Sequence, residues 1–295
     1  MEELLATVMV GVLFGAPYSL LALGIALVYK GTRVFNFAQA EFGTVAAFAA
    51  YLFNDHVPIV GAMVLGVAVA VGMGLAMDRL VVQPLAGSPR VTVLVATAAV
   101  ATGSIALQLA IGDASLRSYP PVVRGNAFVL FDVGVEWQRL LLLIALGGMA
   151  FALFVFFSRT AYGLAVLAAS QEPVATDLVG IGTKRMSALV WAMAGFAGGI
   201  TGVLVAGLAA LTPGHVTAEY LVFAFVAAVI GGMTSLPGAV VGGLVLGLLQ
   251  SFSANYLTDI GWVGDNVPSA SEVVVFAALL VVLAVRPAGL LGRET

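Results

Sequence analysis

The chain has no cysteine, which removes disulfides, thiolate metal sites and thiol nucleophiles in one step. Charge is nearly as scarce. Asp, Glu, Lys and Arg make up 9% of the 295 residues, where a water-facing domain carries roughly 25%. Too few charges remain to wet a surface of this size, so the solvent for most of the chain is lipid. The net charge of −3 is the wrong sign for a nucleic-acid partner. No G-x-x-x-x-G-K-[ST] phosphate loop is present, and Gly180-Ile181-Gly182-Thr183-Lys184-Arg185 lacks the order that motif needs. Any ATP used would be hydrolysed on another chain, and no cofactor is expected. His56 and His215 are far apart, each beside an expected external loop, and read as interfacial residues rather than metal ligands. Serines and threonines are plentiful, but neither histidine is read as a base that activates one, so hydrolase chemistry lacks support.

What the chain does have is apolar length. Hydrophobic residues are 61% of the total and glycines number 35, a residue that membrane helices tolerate because it lets them approach closely. The apolar stretches run unbroken for about 20 residues rather than alternating over about 10, which favours helices over a barrel. Runs between charges and turn residues give nine candidate spans: Leu4–Tyr29, Phe37–Phe53, Ile59–Val82, Val91–Ile111, Leu140–Phe157, Met186–Ala210, Tyr220–Met233, Ala239–Tyr256 and Val273–Val285. The seventh and ninth are the weakest. The expected fold is an all-α polytopic membrane protein with eight to nine transmembrane helices. The acidic start, Met1-Glu2-Glu3, reads as a retained anchor rather than a cleaved signal.

Orientation follows from the basic residues near span ends. With the amino terminus outside, Lys30, Arg33, Arg79, Arg90, Arg159, Lys184, Arg185, Arg286 and Arg293 fall inside, and only Arg117, Arg124 and Arg139 fall outside. The carboxyl terminus is then cytoplasmic. Gly112–Arg139 and Leu257–Glu272, the latter carrying Asp259, Asp265 and Glu272, become external loops. Arg159–Arg185 is the one substantial cytoplasmic loop. No linker divides residues 1–295, which read as a single transmembrane domain.

Three segments could carry chemistry. The second span opens on Asn36-Phe37-Ala38-Gln39-Ala40-Glu41. An ionisable residue in a span costs at least a few kcal/mol, or about that, unless paired, neutral or facing water. Glu41 is either a gate or pathway group at the inner end of the bundle, near Asn36 and Gln39, or a helix-start carboxylate favoured by the helix dipole and reached by cytoplasmic water. The cytoplasmic loop holds Glu172-Pro173-Val174-Ala175-Thr176-Asp177-Leu178-Val179-Gly180-Ile181. Pro173 suits a first helical position and Gly180 or Gly182 a stop, which predicts a helix of about two turns. Val174, Leu178 and Ile181 make an apolar stripe on it, suited to a partner's groove or, as the pattern alone favours, to the lipid surface. Third, Ile230 to Ala239 is a turn rich in Gly and Pro. Irregular backbone at membrane depth is tolerated only against protein or a wet cavity, so Gly231 to Gly238 could line a path. Close helix packing accounts for Gly242, Gly243 and Gly247.

These strings occur together in an order that resembles the LivH-like permeases of branched-chain amino acid ABC importers. The resemblance runs through Asn36 to Phe42, then Leu94-Val95-Ala96-Thr97 on to Leu107-Gln108, then Gly163 through Gly180-Ile181. It continues through Gly195-Phe196-Ala197-Gly198-Gly199, the Gly231–Gly238 turn and the ending Arg286-Pro287-Ala288-Gly289-Leu290-Leu291-Gly292. It implies a transport subunit of a bacterial-type inner membrane, not itself an enzyme. Its partners would be a second permease (LivM-like, or another copy of itself), two cytoplasmic ATPases and an external solute-binding protein. Glu172, Pro173, Val174, Asp177, Leu178, Gly180 and Ile181 would then form the helix that couples to an ATPase, against the lipid reading. Asn36, Gln39, Glu41, Thr97, Gln108, Gly231, Gly232, Ser235 and Gly238 would line or gate the path. Similar signatures also serve importers of urea, amides or aromatic acids. The rival from another class is a secondary transporter or channel working alone, for which the glycine-rich openings of the second and eighth spans hint at a parallel repeat.

Overall fold

The computed structural model describes residues 1–112, 115–257 and 269–292. Asp259, Asp265 and Arg293 lie outside the described residues. Helices account for nearly all of the regular structure: α1 Glu2–Thr32, α2 Gln39–Phe53, α3 Ile59–Met77 (continued by a π turn, Asp78–Val82), α4 Arg90–Gly112, α5 Trp137–Arg159, α6 Ala161–Gln171, α7 Pro173–Leu178, α8 Thr183–Val205, α9 His215–Gly231, α10 Leu236–Phe252 (continued by a π turn, Ser253–Leu257) and α11 Ala270–Val285. Each of the nine expected spans falls on one of these helices. Six are long and apolar enough to cross a membrane: α1, α3 with its π turn, α4, α5, α8 and α10 with its π turn. The remaining three are shorter, at 15 residues for α2, 17 for α9 and 16 for α11.

The core is built around α1. Glu2 and Glu3 in its first turn and Lys30 in its last oppose the helix dipole favourably. Arg33, at φ 58°, ends the helix with its amide donating to the Tyr29 carbonyl at 2.9 Å. Between apolar helices in lipid no solvent-driven force acts, so association rests on close packing and polar contacts. Two runs of small residues at a spacing of four meet on this principle: Gly11, Gly15 and Ser19 on α1, and Gly243, Gly247 and Ser251 on α10. A Cβ added at Gly15 would stand 2.8 Å from Leu244 Cα, and one at Gly11 2.8 Å from Leu248 Cα. Each end of the seam is closed by a hydroxyl. Ser19 Oγ donates to Val240 O (2.9 Å) and Ser251 Oγ to Thr7 O (2.8 Å).

α8 uses both faces of its Gly195–Gly202 stretch. Gly195 and Gly199 pack on α3 around Ala70, while Gly198 and Gly202 pack on α2 at Gly43. Around this core, α3, α4, α5 and α11 turn apolar side chains outward, including Val64, Val95, Leu107, Phe151, Phe154 and Leu280. In lipid those faces need no cover.

Two features depart from the expected all-α chain with one loop helix. Residues 126–130 and 133–136 form an antiparallel hairpin, β1 Asn126–Leu130 and β2 Val133–Glu136. Its two-residue turn, Phe131 and Asp132, has both φ values positive, 52° and 59°, the twist that suits a tight hairpin. The cytoplasmic-type loop holds α6 as well as α7. Thr160 caps α6 by accepting from the Gly163 amide at 3.0 Å. A side chain at Gly163 would press on Phe157 Cα at the α5–α6 corner.

Candidate polar interior and coupling surface

α2 is short because its first turns are spent on an extended approach. Residues 33–38 leave α1 and run back into the bundle before α2 begins. Asn36 organises that entry, with Oδ1 accepting from the Ala38 amide (3.0 Å) and Nδ2 donating to Gln39 Oε1 (3.1 Å). Gln39 Nε2 donates to the Ala194 carbonyl of α8 at 2.9 Å. Its amide occupies the space that a side chain at Gly24 would fill. The Phe37 amide donates to Thr97 Oγ1 of α4 at 3.1 Å. Asn36, Gln39 and Thr97 are all fully buried, and together they pin the entry segment to α4 and α8.

One turn further on, Glu41 is sealed from solvent. Its Oε1 accepts from Ser104 Oγ (3.1 Å) and from Gln108 Nε2, and its Oε2 accepts from Thr217 Oγ1 (2.7 Å). Gln108 Oε1 in turn accepts from the Gly214 amide (3.1 Å), and Thr44 Oγ1 from the Val216 amide (3.2 Å). The carboxylate therefore joins α2, α4 and α9. Ser104 and Gln108 lie roughly 20–27 Å along α4 from Arg90, at 1.5 Å of rise per residue. Thr217 is at the far end of α9 from Gly231. Glu41 faces the bundle interior as expected, but the reading of it as a helix-start carboxylate reached by water is corrected, and it lies deeper than the inner end of the bundle. The extended approach carries it deep into the interior, and neutral donors replace the water.

Sequence reasoning missed several members of this layer. Ser104, Thr44 and Thr217 are ordinary helix hydroxyls with no signal of their own. His215 was expected at an interface; instead it is buried at the start of α9 beside Tyr220, ring centroids 6.4 Å apart, while His56 is exposed as expected. Asp78 could have been found, because it is an ionisable residue inside an expected span. It is fully buried. Ser187 Oγ of α8 donates to its Oδ1 and Gln83 Nε2 to its Oδ2 (2.5 Å).

The Gly231–Gly238 turn is closed by backbone. Gly231 and Gly238 pack face to face, leaving no room for a Cβ on either. Ser235 caps α10 by accepting from the Gly238 amide (3.1 Å). Gly232, at φ 103°, ends α9 against Ala288 and Gly292 of the segment after α11. That segment donates from Leu290 N to Ile230 O (2.7 Å) and from Leu291 N to Gly231 O (3.0 Å), so the last carbonyls of α9 are satisfied by the chain's own tail. Within this chain the turn serves packing and capping. Ser235 lines a cavity of about 510 Å³ shared with Lys30 and Arg33.

α7 starts with Pro173 at its first position, and Gly180, at φ 86°, follows its end. Glu172, Pro173, Val174, Asp177, Leu178 and Gly180 are exposed and Ile181 is half-buried. Val174 is 73% and Leu178 83% accessible, so the apolar stripe is unpartnered within the chain. Asp177 has a different job. Its Oδ1 accepts from the Thr183 amide and its Oδ2 from Thr183 Oγ1, both at 3.0 Å, which ties α7 to the start of α8. Among the described residues no group of His, Cys, Asp and Glu could hold a metal ion.

Apolar helix faces turned outward over a sealed polar interior define a multi-pass membrane protein. The family model described as the permease component of the branched-chain amino acid transport system matches residues 7–283. The chain belongs to that family. It is 29% identical over 304 residues to the high-affinity branched-chain amino acid transport permease BraD of Pseudomonas aeruginosa, covering 96% of this chain and 94% of that protein. It is 27% identical over 302 residues to LivH of Escherichia coli, with the same coverage. A probable LivH of Methanocaldococcus jannaschii is 24% identical over 93% of this chain and 88% of its own. No solved structure gives a significant match.

Proposed function

We propose that this chain is the membrane-spanning permease subunit of an ATP-driven importer of branched-chain amino acids. The observation that carries the reading is similarity over 96% of the chain to proteins named for that transport. The chain would lie in the inner membrane with its amino terminus outside and its carboxyl terminus in the cytoplasm, as the distribution of basic residues favours, and would work as one domain over residues 1–295. A second permease, either LivM-like or another copy, would complete the path. Two cytoplasmic ATPases would supply the energy and an external binding protein would deliver the solute.

The exposed stripe of α7 supports it as the ATPase-coupling helix within the 159–185 loop. Leu178 and Val174 would seat in the ATPase, while Asp177 holds the helix against α8. Closure of the ATPases would draw two such loops together and bias the bundle between two arrangements, each fitting one state of the ATPase pair. Inside the bundle, Asn36, Gln39, Thr97, Glu41 and Gln108 form the polar joints between α2, α4, α8 and α9. A gate would open by exchanging those hydrogen bonds. Gly231, Gly232, Ser235 and Gly238 would serve as its stiff inner corner.

The test is reconstitution of the chain with its partner subunits in vesicles, following labelled leucine. Uptake should require ATP and the binding protein, and excess valine should compete while urea and acetamide do not. Competition by urea or acetamide instead would move the substrate assignment to those solutes. Uptake driven by a proton gradient with no ATPase present would overturn the importer reading.

A further inference from the structure

At the basic end of the bundle the structure holds a cavity of about 490 Å³, of whose lining the transport reading uses only Pro173. Its walls come from the connections α1–α2, α3–α4 and α6–α7 and from the first turn of α8. Arg33, Arg90 and Lys184 converge on it from three of these, with the hydroxyls of Ser88 and Ser170 between them. Among the described residues the only ion pair is Arg139 with Glu136 (3.3 Å), on another part of the chain. Glu172 adjoins the lining residue Pro173 but is exposed and does not itself line the cavity, and the two acids bonded to lining residues are engaged by neutral donors. Asp78 takes Ser187 and Gln83, and Asp177 takes Thr183. Arg33 is held in the left-handed region at φ 58°, seldom occupied by a residue with a side chain, and its guanidinium lies 5.9 Å from the centre of the Tyr29 ring.

The positive-inside bias explains why basic residues occur at this end. It does not explain why three of them share one cavity whose described lining holds no carboxylate. The lining is also mixed, because Phe35, Val82 and Val93 face the same space. Next to Arg90, Val91 is 69% accessible, and Leu80 on the π turn 75%. A ligand that fits is an anion with an apolar continuation lying along the outer faces of α3 and α4. We propose that the cavity binds the phosphodiester headgroup of an anionic phospholipid, with its acyl chains on Leu80 and Val91. Bound there, the headgroup would bridge the α3–α4 connection to Pro173 and Lys184 and so brace the α7 segment. The site goes beyond the transport assignment, and its test uses neither solute nor ATP, so either can fail alone.

The test is lipid retention. Purified protein in mixed micelles of phosphatidylglycerol and phosphatidylcholine is passed over a sizing column, and the co-eluting lipid is quantified. A cation near an anionic headgroup contributes a factor of about five. The unaltered protein should therefore retain phosphatidylglycerol at least about tenfold over phosphatidylcholine. R33Q/R90Q/K184Q should bring that ratio close to one, while R79Q, an exposed cation outside the cavity, should leave it unchanged. Equal retention by the triple variant, or an equal loss in R79Q, would overturn the site. Displacement of the lipid by inorganic phosphate at millimolar concentration would show that the free anion is the ligand and overturn the lipid assignment. Should the triple variant fail to elute as a single species, R90Q and K184Q carry the test separately, each at an exposed position and each expected to lower the ratio severalfold. No loss in either would overturn it.

Discussion

Replacing Glu41 by Leu keeps the volume of the side chain near that of glutamate and deletes the acceptor that three helices share. Ser104, Gln108 and Thr217 each lose a hydrogen bond. Hydrogen bonds between membrane helices average about 0.6 kcal/mol and reach about 1.7, so the loss is roughly 2–5 kcal/mol. At about 2–4 °C per kcal/mol for a chain of this scale, the melting point should fall by roughly 4–20 °C. E41Q is the informative control. Its Oε1 can still accept from Ser104 and Gln108, and its new amide can donate to Thr217, whose hydroxyl turns to accept. That variant should stay within about 1 kcal/mol of the unaltered protein. The assay is recovery of a single sizing-column peak after stepwise heating in detergent; thiol-reactive dyes are useless in a chain without cysteine. The double variant E41L/T217V should show a coupling energy of at least about 0.5 kcal/mol. If E41L melts within 2 °C or so of the unaltered protein, or if E41Q is as damaged as E41L, the account of Glu41 as a shared acceptor is wrong.

Other expectations follow from the same geometry. Gly202→Ala drives a methyl into Gly43 of α2 and should abolish a single folded peak, whereas Gly147→Ala and Gly148→Ala on α5 meet open space and should be neutral or stabilise by up to about 1 kcal/mol through helix propensity. Leu178→Ser should leave melting unchanged but cut co-purification of the ATPases at least about tenfold, the worth of one buried leucine. Asp177→Ala should also lower thermal stability, by about 1 kcal/mol, since it uncaps α8. Burial pushes the Tyr119 hydroxyl up to about 12, above its usual value near 10. The folded chain favours the neutral phenol, so the contribution is intact below pH 10 and fades as pH rises toward 12; Tyr119→Phe should flatten an alkaline melting profile over that window.

The helices under the nine expected spans were legible because lipid imposes one rule, a long apolar run with few charges, although among the described residues only six are long and apolar enough to cross a membrane. Ile59–Val82 was read to the residue, π turn included. What the rule does not encode is depth. Lys30 and Arg33 mark an inside turn and the second span was read as a helix opening at Asn36; only the contacts of Asn36, Gln39 and Thr97 reveal that the chain re-enters the bundle extended before α2 begins. Glu41 was singled out correctly as costly, yet its partners come from residues 63 and 176 positions away, beyond the reach of any local pattern. The hairpin at Asn126–Glu136 was hidden because its turn is made by Phe131 and Asp132 rather than the Asn-Gly that announces such turns. Asp78 was passed over although it stands inside the expected span Ile59–Val82, where only Arg79 was counted, for orientation. The exposed stripe of α7 was plain in Val174 and Leu178, but Asp177, read as part of the docking face, turned out to hold its own chain.

The strap from Leu290 and Leu291 to the end of α9 has a consequence for biogenesis. The carbonyls of Ile230 and Gly231 wait for donors encoded some 60 positions later, so the α9–α10 corner stays unfinished until translation has passed α11. A chain cut within α11 would leave both carbonyls without these donors, so the corner between α9 and α10 is completed only by the segment that follows α11.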